Sequence, residues 1–191
     1  MTLLIELIRH GESELAGSFR GSTDDPLTEK GWSQLREAVA GEQRWNHIVS
    51  SPLQRCSRFA QELALTLGCE LTLRDDLQEL HFGAWEGRSS ADLYKTDAAA
   101  LSQFWDDPYA FTPPEAESLM DFEHRVLGAL QQLYLQHKGE RLLLVTHGGV
   151  IRLLVARARG LPRKGLLQVN VGFAQRFRLS LDDQGVLKEL I

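Results

Sequence analysis

Arg9-His10 closes a short apolar run, Leu3 to Ile8, and places a guanidinium beside an imidazole at its end. A second histidine, His147, lies two residues past the most apolar run in the chain, Leu142 to Val145, and opens into Gly148-Gly149. Arg55 follows a third run, Trp45 to Val49, just beyond Ser51-Pro52. Guanidinium groups present forked, permanently charged donors that match phosphoryl oxygens, and a neutral imidazole can attack phosphorus. The chemistry that suits these residue types is recognition and transfer of a dianionic phosphate. Singly each is ordinary: Arg-His is a solvated strand end, an early-helix arginine is a surface residue, and His-Gly-Gly is a common turn. Recurrence at three run ends is what points to a site.

The three runs are long enough for strands and too short for helices. Thr28-Glu29-Lys30-Gly31 opens a helical pattern through Val39. Ser51 as N-cap with Pro52 at the first helical position predicts a helix to about Leu67, ended by Gly68. Cys69 to Leu73 reads as a further strand, and Leu119 to His137 and Val150 to Ala158 read as helices. The tail Leu166 to Ile191 is expected to supply two or three edge strands around Gly172 and Asp182-Asp183-Gln184-Gly185. Strands that alternate with helices imply crossover connections and a largely parallel sheet covered on both faces. In such a sheet the ligand lies outside the carboxyl ends of the strands, where Arg9, His10, Arg55 and His147 all fall. Helix starts at Pro52 and Gly148 add free backbone donors for an anion. Arg88 to about Ser118, with Pro108, Pro113 and Pro114, interrupts the alternation and is expected to form a helical cap over one edge.

Composition narrows the class. A chain of 191 residues, 43% hydrophobic and 25% charged, fits one globular domain spanning 1–191. The net charge of −5 argues against general nucleic-acid affinity and allows a local cationic pocket. No apolar run approaches the ~18 residues of a membrane span and the start lacks a secretory pattern, so a cytoplasmic location with no membrane partner is expected. The two cysteines, Cys56 and Cys69, exclude a disulfide framework within the chain and read as small buried residues. His47, His81, His124 and His137 show no ligand spacing, so neither a metal nor a cofactor is expected. Trp32 and Trp45 read as packing residues, Trp85 and Trp105 as candidates for the cap wall, and Glu123, Arg125 and Lys138 as a solvated helix face. A homo-oligomer is compatible with the sequence.

The motifs resemble the histidine phosphatase superfamily, also called phosphoglycerate mutase-like. The resemblance runs in order through Leu7-Ile8-Arg9-His10-Gly11-Glu12-Ser13, Asp25-Pro26-Leu27-Thr28-Glu29-Lys30-Gly31 and Ser50-Ser51-Pro52-Leu53-Gln54-Arg55. It continues in Glu79-Leu80-His81-Phe82-Gly83-Ala84-Trp85-Glu86-Gly87 and Val145-Thr146-His147-Gly148-Gly149. It implies a three-layer α/β/α sandwich, with a mostly parallel central sheet and a helical cap. It also implies His10 as the nucleophile that becomes phosphorylated, Arg9, Arg55 and His147 as the rest of the phosphate pocket, and Glu79 as the proton donor. Arg20 and Gly21 fall where some relatives contact the non-phosphate part of the substrate. The chain departs from the family pattern at Ala16, where many members carry Asn, at Ser13, where they carry Thr, and at Pro114-Glu115-Ala116-Glu117-Ser118, where they carry Gly before Glu-Ser.

The expected activity is hydrolysis of a small-molecule phosphomonoester through phosphohistidine. Imidazole attacks only when neutral, so one ring nitrogen of His10 must be held as a donor, to a backbone carbonyl, with the other lone pair aimed at phosphorus. The arginines and His147 stabilise the transferred oxygens, the role magnesium fills elsewhere, so no metal is required. A departing alkoxide needs a proton, which Glu79 is placed to supply. The compact length, Phe82-Gly83-Ala84-Trp85-Glu86 and the segment Gly149 to Pro162 look similar to α-ribazole phosphatases of cobalamin assembly, which remove a 5'-phosphate from a benzimidazole nucleotide or its cobamide. Broad-range sugar phosphatases share those segments. A phosphoglycerate mutase generally has a longer chain and a Tyr-Gly-Ala-Leu-Gln-Gly-like segment in that place. A phosphate-binding module without turnover is the non-enzyme alternative.

Overall fold

The computed structural model describes residues 1–41 and 44–190. Strands β1 (Leu3–Arg9), β2 (His47–Ser50), β3 (Glu70–Leu73), β4 (Arg141–Thr146), β5 (Arg176–Leu181) and β6 (Leu187–Glu189) form one sheet in the order β3-β2-β4-β1-β5-β6. The first four strands in that order are parallel, and β5 and β6 add to the β1 side antiparallel. The predicted tail is therefore two edge strands, joined by a turn in which Asp182 Oδ1 accepts from the N–H groups of Gln184 and Val186. Ile191, the end of that tail, lies outside the described residues.

The β-pleat sorts the core into two layers. Leu3, Ile5 and Leu7 of β1, with Leu142 and Leu144 of β4, pack under helices α4 (Leu119–His137) and α5 (Gly148–Ala158) through Phe122, Val126, Leu130, Val150 and Leu154. Ile8, Ile48, Leu143 and Val145 face α1 (Glu29–Ala38) and α2 (Gln54–Leu67) through Leu35, Cys56, Phe59 and Leu63. Helices thus cover both faces of a mostly parallel sheet, an α/β/α sandwich. Among the described residues no helix is long and apolar enough to cross a membrane.

Thr28 caps α1 as its sequence predicts, its side chain accepting from Gly31 N–H at 3.0 Å. The start of α2 differs from expectation. Ser51 and Pro52 precede the helix, and Leu53, in an extended conformation, occupies the N-cap. The Ser51 hydroxyl is engaged by His147 Nε2 at 2.7 Å, and Asp24 of another loop accepts from Gln54 N–H at 2.6 Å. A capping side chain taken by tertiary structure leaves the helix to begin at the next place where its donors find acceptors.

Between β3 and α4 the chain makes two single 3₁₀ turns, at Asp75–Leu77 and Gly83–Trp85, and then α3 (Ser90–Asp106). Ser89 caps α3, which kinks at Asp97 (φ −155°, ψ 51°). Trp85 is buried and stacks on Phe111 with centroids 6.0 Å apart, while Trp105 at the end of α3 is half exposed. Trp45 is buried just before β2, its indole N–H donating to Glu6 at 3.0 Å.

Candidate active site

Arg9 is in register with Thr146, and Ser50 with Val145, so the carboxyl ends of β1, β4 and β2 lie side by side. The residues that follow are delivered to one place. His10 N–H donates to the Thr146 carbonyl at 3.0 Å, and the rings of His10 and His147 meet edge-on with centroids 5.4 Å apart. Both side chains are buried. His10 Nδ1 lies 2.8 Å from the Gly11 carbonyl oxygen. A carbonyl only accepts, so Nδ1 carries the proton and Nε2 the lone pair. Burial, then Arg9 and Arg55, hold His10 well below the usual imidazole range against the opposing Gly11 bond. The nucleophile expected from sequence is therefore neutral at pH 7 and fixed in one tautomer.

His147 takes the other tautomer. Arg55 Nε donates to its Nδ1 at 3.3 Å, which leaves Nε2–H to donate to Ser51 Oγ at 2.7 Å. Burial and the neighbouring Arg55 keep His147 neutral as well. Arg55 has no exposed surface. Its guanidinium donates to the carbonyls of Thr23 at 2.5 Å and Gly21 at 2.9 Å and lies 3.3 Å from Asp25 Oδ1. Asp25 also pairs with Arg20 Nη1 at 2.7 Å, and the same nitrogen reaches Ser13 Oγ. Burial raises the Asp25 carboxyl, and the bonds to Ser13 and Arg20 more than offset this, leaving it below the usual range.

Two further guanidiniums stand at the start of α5. Arg9 Nη1 donates to Val171 O at 2.7 Å, with its charge 4.3 Å from the centre of the Phe173 ring, and Arg152 Nε donates to Val169 O at 3.1 Å. A Cβ built on Gly148 would lie 3.2 Å from Arg152 Nη1 and 3.4 Å from Arg9 Nε, so the two cations flank that glycine. Burial, with Arg152 and Arg20 nearby, pulls Arg9 down to about 10 despite the attraction of Glu79. Among the described residues the Nε atoms of Arg9 and Arg20 are buried without a partner. Buried donors are normally satisfied, so this end of the sheet is short of acceptors.

Glu79 approaches the same helix start from the opposite side. Its Oε2 accepts from Gly149 N–H at 2.9 Å and its Oε1 from Leu80 N–H at 3.0 Å. A Cβ at Gly149 would stand 2.2 Å from Glu79 Oε1 and displace that carboxylate from the helix start. The expected solvated face of α4 is corrected here. Arg125 is half-buried and clips the segment carrying Glu79, donating to the carbonyls of Asp76 (3.0 Å), Gln78 (2.8 Å) and Glu79 (3.0 Å) while pairing with Glu117 at 2.6 Å. Glu123 accepts from Tyr109 Oη at 2.7 Å, and only Lys138 of the three is exposed. Helical periodicity identifies a polar face but not a partner supplied by a loop.

A cavity of about 300 Å³ joins these groups. Its polar end is Arg9, His10, Arg20, Glu79, Gly149 and Arg152, and its other walls are largely apolar, with Phe19, Phe82, Phe104 and Trp105. Arg55 and His147 are not on this wall; they join it through the contact of the His147 ring with His10. Gly21 is not on it either. Its N–H is held by Glu86 at 2.8 Å and its carbonyl by Arg55, and a Cβ there would stand 1.9 Å from Leu80 O. Arg20, expected alongside it, does line the cavity. Ala16 is exposed in a turn and makes no part of the wall. Arg152 was assigned no role by sequence, although its place four residues after Gly148, one turn along the same face, is a signal. Asp25 stands in one of the resemblance motifs without an assigned role, and Arg125 carries no signal, since it acts across loops.

A profile of the histidine phosphatase superfamily (branch 1) matches residues 5–190. A protein of Photorhabdus laumondii named phosphoglycerate mutase GpmB is 36% identical over 165 residues, 84% of this chain and 76% of that one. A solved Escherichia coli K-12 structure described as an α-ribazole-5'-P phosphatase superposes with TM-score 0.85 at 26% identity, over 99% of this chain and 95% of the other. Mycobacterial glucosyl-3-phosphoglycerate phosphatase superposes with TM-score 0.88 at 24% identity, covering 100% and 98%, a likeness of fold. With the Arg-His pair, the second histidine and the α/β/α frame in register, the chain belongs to the histidine phosphatase superfamily.

Proposed function

We propose that the protein is a metal-independent phosphomonoesterase that works through phosphohistidine on His10. The observation that carries this reading is the bond between His10 Nδ1 and the Gly11 carbonyl at 2.8 Å, which leaves the Nε2 lone pair as the reactive position in a neutral ring. Nε2 attacks phosphorus, the bond to the leaving oxygen breaks, and Glu79 gives that oxygen its proton. Water then attacks the phosphohistidine, Glu79 takes up the proton, and the P–N bond breaks to release phosphate. Arg9 and the start of α5 at Gly148 donate to the transferred oxygens, Arg20 and Arg55 add positive charge, and neutral His147 accepts from Arg55 and so orients that guanidinium. We place this chemistry in the cytoplasm, in keeping with the short apolar runs and the unpaired Cys56 and Cys69.

The substrate we propose is α-ribazole 5'-phosphate or a related nucleotide of cobalamin biosynthesis. The aromatic walls support a flat, apolar leaving group, with Trp105 half exposed at the rim. The second reading is a phosphoglycerate-type substrate, turned over by a phosphatase or a mutase. Arg152 favours it, since it lines the cavity and pairs with no carboxylate among the described residues. The deciding experiment compares kcat/KM for α-ribazole 5'-phosphate, 3-phosphoglycerate, a hexose phosphate and p-nitrophenyl phosphate, and looks for 2-phosphoglycerate. A preference for the ribazole compound of at least about tenfold, or ~1.4 kcal/mol, is expected. Without it that substrate is wrong, and 2-phosphoglycerate formed from 3-phosphoglycerate would make the protein a mutase.

A further inference from the structure

Glu86 lies outside the cavity wall, yet it is tied to the loop that holds the buried arginine. Its carboxylate accepts from the consecutive N–H groups of Gly21 (2.8 Å), Ser22 (3.2 Å) and Thr23 (3.2 Å), from Thr23 Oγ1 (2.6 Å) and from Phe82 N–H (2.9 Å). Successive backbone N–H groups that converge on one carboxylate make an anion nest, filled here from within the chain. Carbonyls of the same loop are engaged as well. The carbonyls of Gly21 and Thr23 accept from Arg55, at 2.9 and 2.5 Å. A buried cation on one side and a carboxylate on the other thus align the peptide dipoles of the loop between them. Burial alone would raise the Glu86 carboxyl, and the bonds from Thr23, Phe82 and Gly21 outweigh it, so the group stays ionised.

We propose that Glu86 is a positioning residue for phosphoryl transfer, acting through the 21–23 loop to hold the guanidinium of Arg55, and through Arg55 the ring of His147. The steric record of Gly21 agrees with a rigid element: a Cβ there would meet Leu80 O at 1.9 Å and Glu86 Oε1 at 2.7 Å, so the loop has one seat against the segment that follows Glu79. Asp25 supplies a carboxylate contact to Arg55, and it is shared with Arg20. When Glu86 loses its charge, Asp25 still neutralises part of the site while the carbonyls that aim Arg55 lose their anchor. The loss is therefore one of orientation. This inference rests on the proposal that Arg55 and His147 act on the phosphoryl group.

The test is a double-mutant cycle in the full chain, with Glu86→Gln, Arg55→Ala and both together. The readouts are kcat and KM for p-nitrophenyl phosphate, the inhibition constant of orthovanadate, and thermal stability. Glu86→Gln is expected to lower kcat at least tenfold, to leave KM within about threefold, and to weaken vanadate by a factor similar to the loss in kcat. In the Arg55→Ala background the same substitution should change kcat and vanadate affinity less than twofold. Additive losses, or a folded Glu86→Gln variant within threefold of wild type, overturn the inference. If Glu86→Gln does not fold, Thr23→Ala removes only the hydroxyl contact, and about a threefold loss that vanishes in the Arg55→Ala background is expected; an additive or absent loss overturns the inference. Full activity in Arg55→Ala alone would overturn the phosphatase role of Arg55, which separates failure of that reading from failure of this one.

Discussion

Glu6, within β1, and Arg9, at the end of the same strand, are both charges held within the sheet, and their surroundings differ in one respect. Glu6 is 2% exposed, and Arg176, Arg141 and Trp45 all donate to its carboxylate, so its acceptors are filled from within the chain. At the carboxyl end Arg9, Arg20, Arg55 and Arg152 face the carboxylates of Asp25 and Glu79, and the Nε donors of Arg9 and Arg20 have no acceptor among the described residues. A buried network satisfied by its own chain fixes the fold. One with donors in excess is completed by an anion from outside, and its surplus positive charge matches a phosphoryl dianion.

That contrast can be broken by substitution. His10→Ala should lower turnover by a factor of about 10⁴ or more in a folded protein, because the lone pair of the neighbouring imidazole, His147, is already engaged by Arg55. Appreciable residual phosphatase activity would move the nucleophile elsewhere. Arg55→Ala is expected to cost on the order of 3 kcal/mol of transition-state stabilisation, a hundredfold or more in kcat/KM; a change below threefold would remove Arg55 from the reaction. Glu6→Gln should do the opposite. It unbalances a satisfied buried cluster, so denaturant unfolding should show a loss of about 3 kcal/mol while kcat of the folded fraction stays within twofold. A large fall in kcat would show that the two ends of the sheet are coupled.

Glu79→Gln sharpens the contrast within the site. An alkyl phosphate, whose leaving oxygen needs a proton, should slow at least tenfold more than p-nitrophenyl phosphate, whose leaving group needs little help. Equal losses would make Glu79 a positioning residue. The smallest effect is on stability against pH. His10 and His147 have folded values below the unfolded imidazole value, so the unfolded chain binds protons first as pH falls. Stability is complete above about pH 6.5 and declines below it, by up to about 1.4 kcal/mol per pH unit for each histidine. Denaturation at pH 7.5, 6.5 and 5.5 measures this, and a flat profile contradicts buried, neutral imidazoles.

The parts legible in the sequence were those written locally. Strand ends at Arg9-His10 and His147 announce themselves by an abrupt change from apolar to cationic or imidazole residues, and Thr28 caps its own helix. The parts that were not legible act across loops. Ser51 is spent on His147 rather than on a helix cap, and Arg125 turns from an exposed face to the carbonyls of 76–79. Gly21 N–H is claimed by Glu86, far along the chain. Each is a polar side chain whose partner is fixed by tertiary packing, which no spacing rule records.

The most direct test is to trap the intermediate: acid-free quench of the wild-type enzyme within milliseconds of mixing with ³²P-labelled phosphomonoester in excess chelator, followed by peptide mapping. Acid-labile, base-stable label is expected on the peptide containing His10, absent from His10→Ala, with turnover unaffected by the chelator. Turnover without label on His10, or turnover abolished by the chelator and restored by a divalent cation, would contradict a metal-independent route through phosphohistidine on His10.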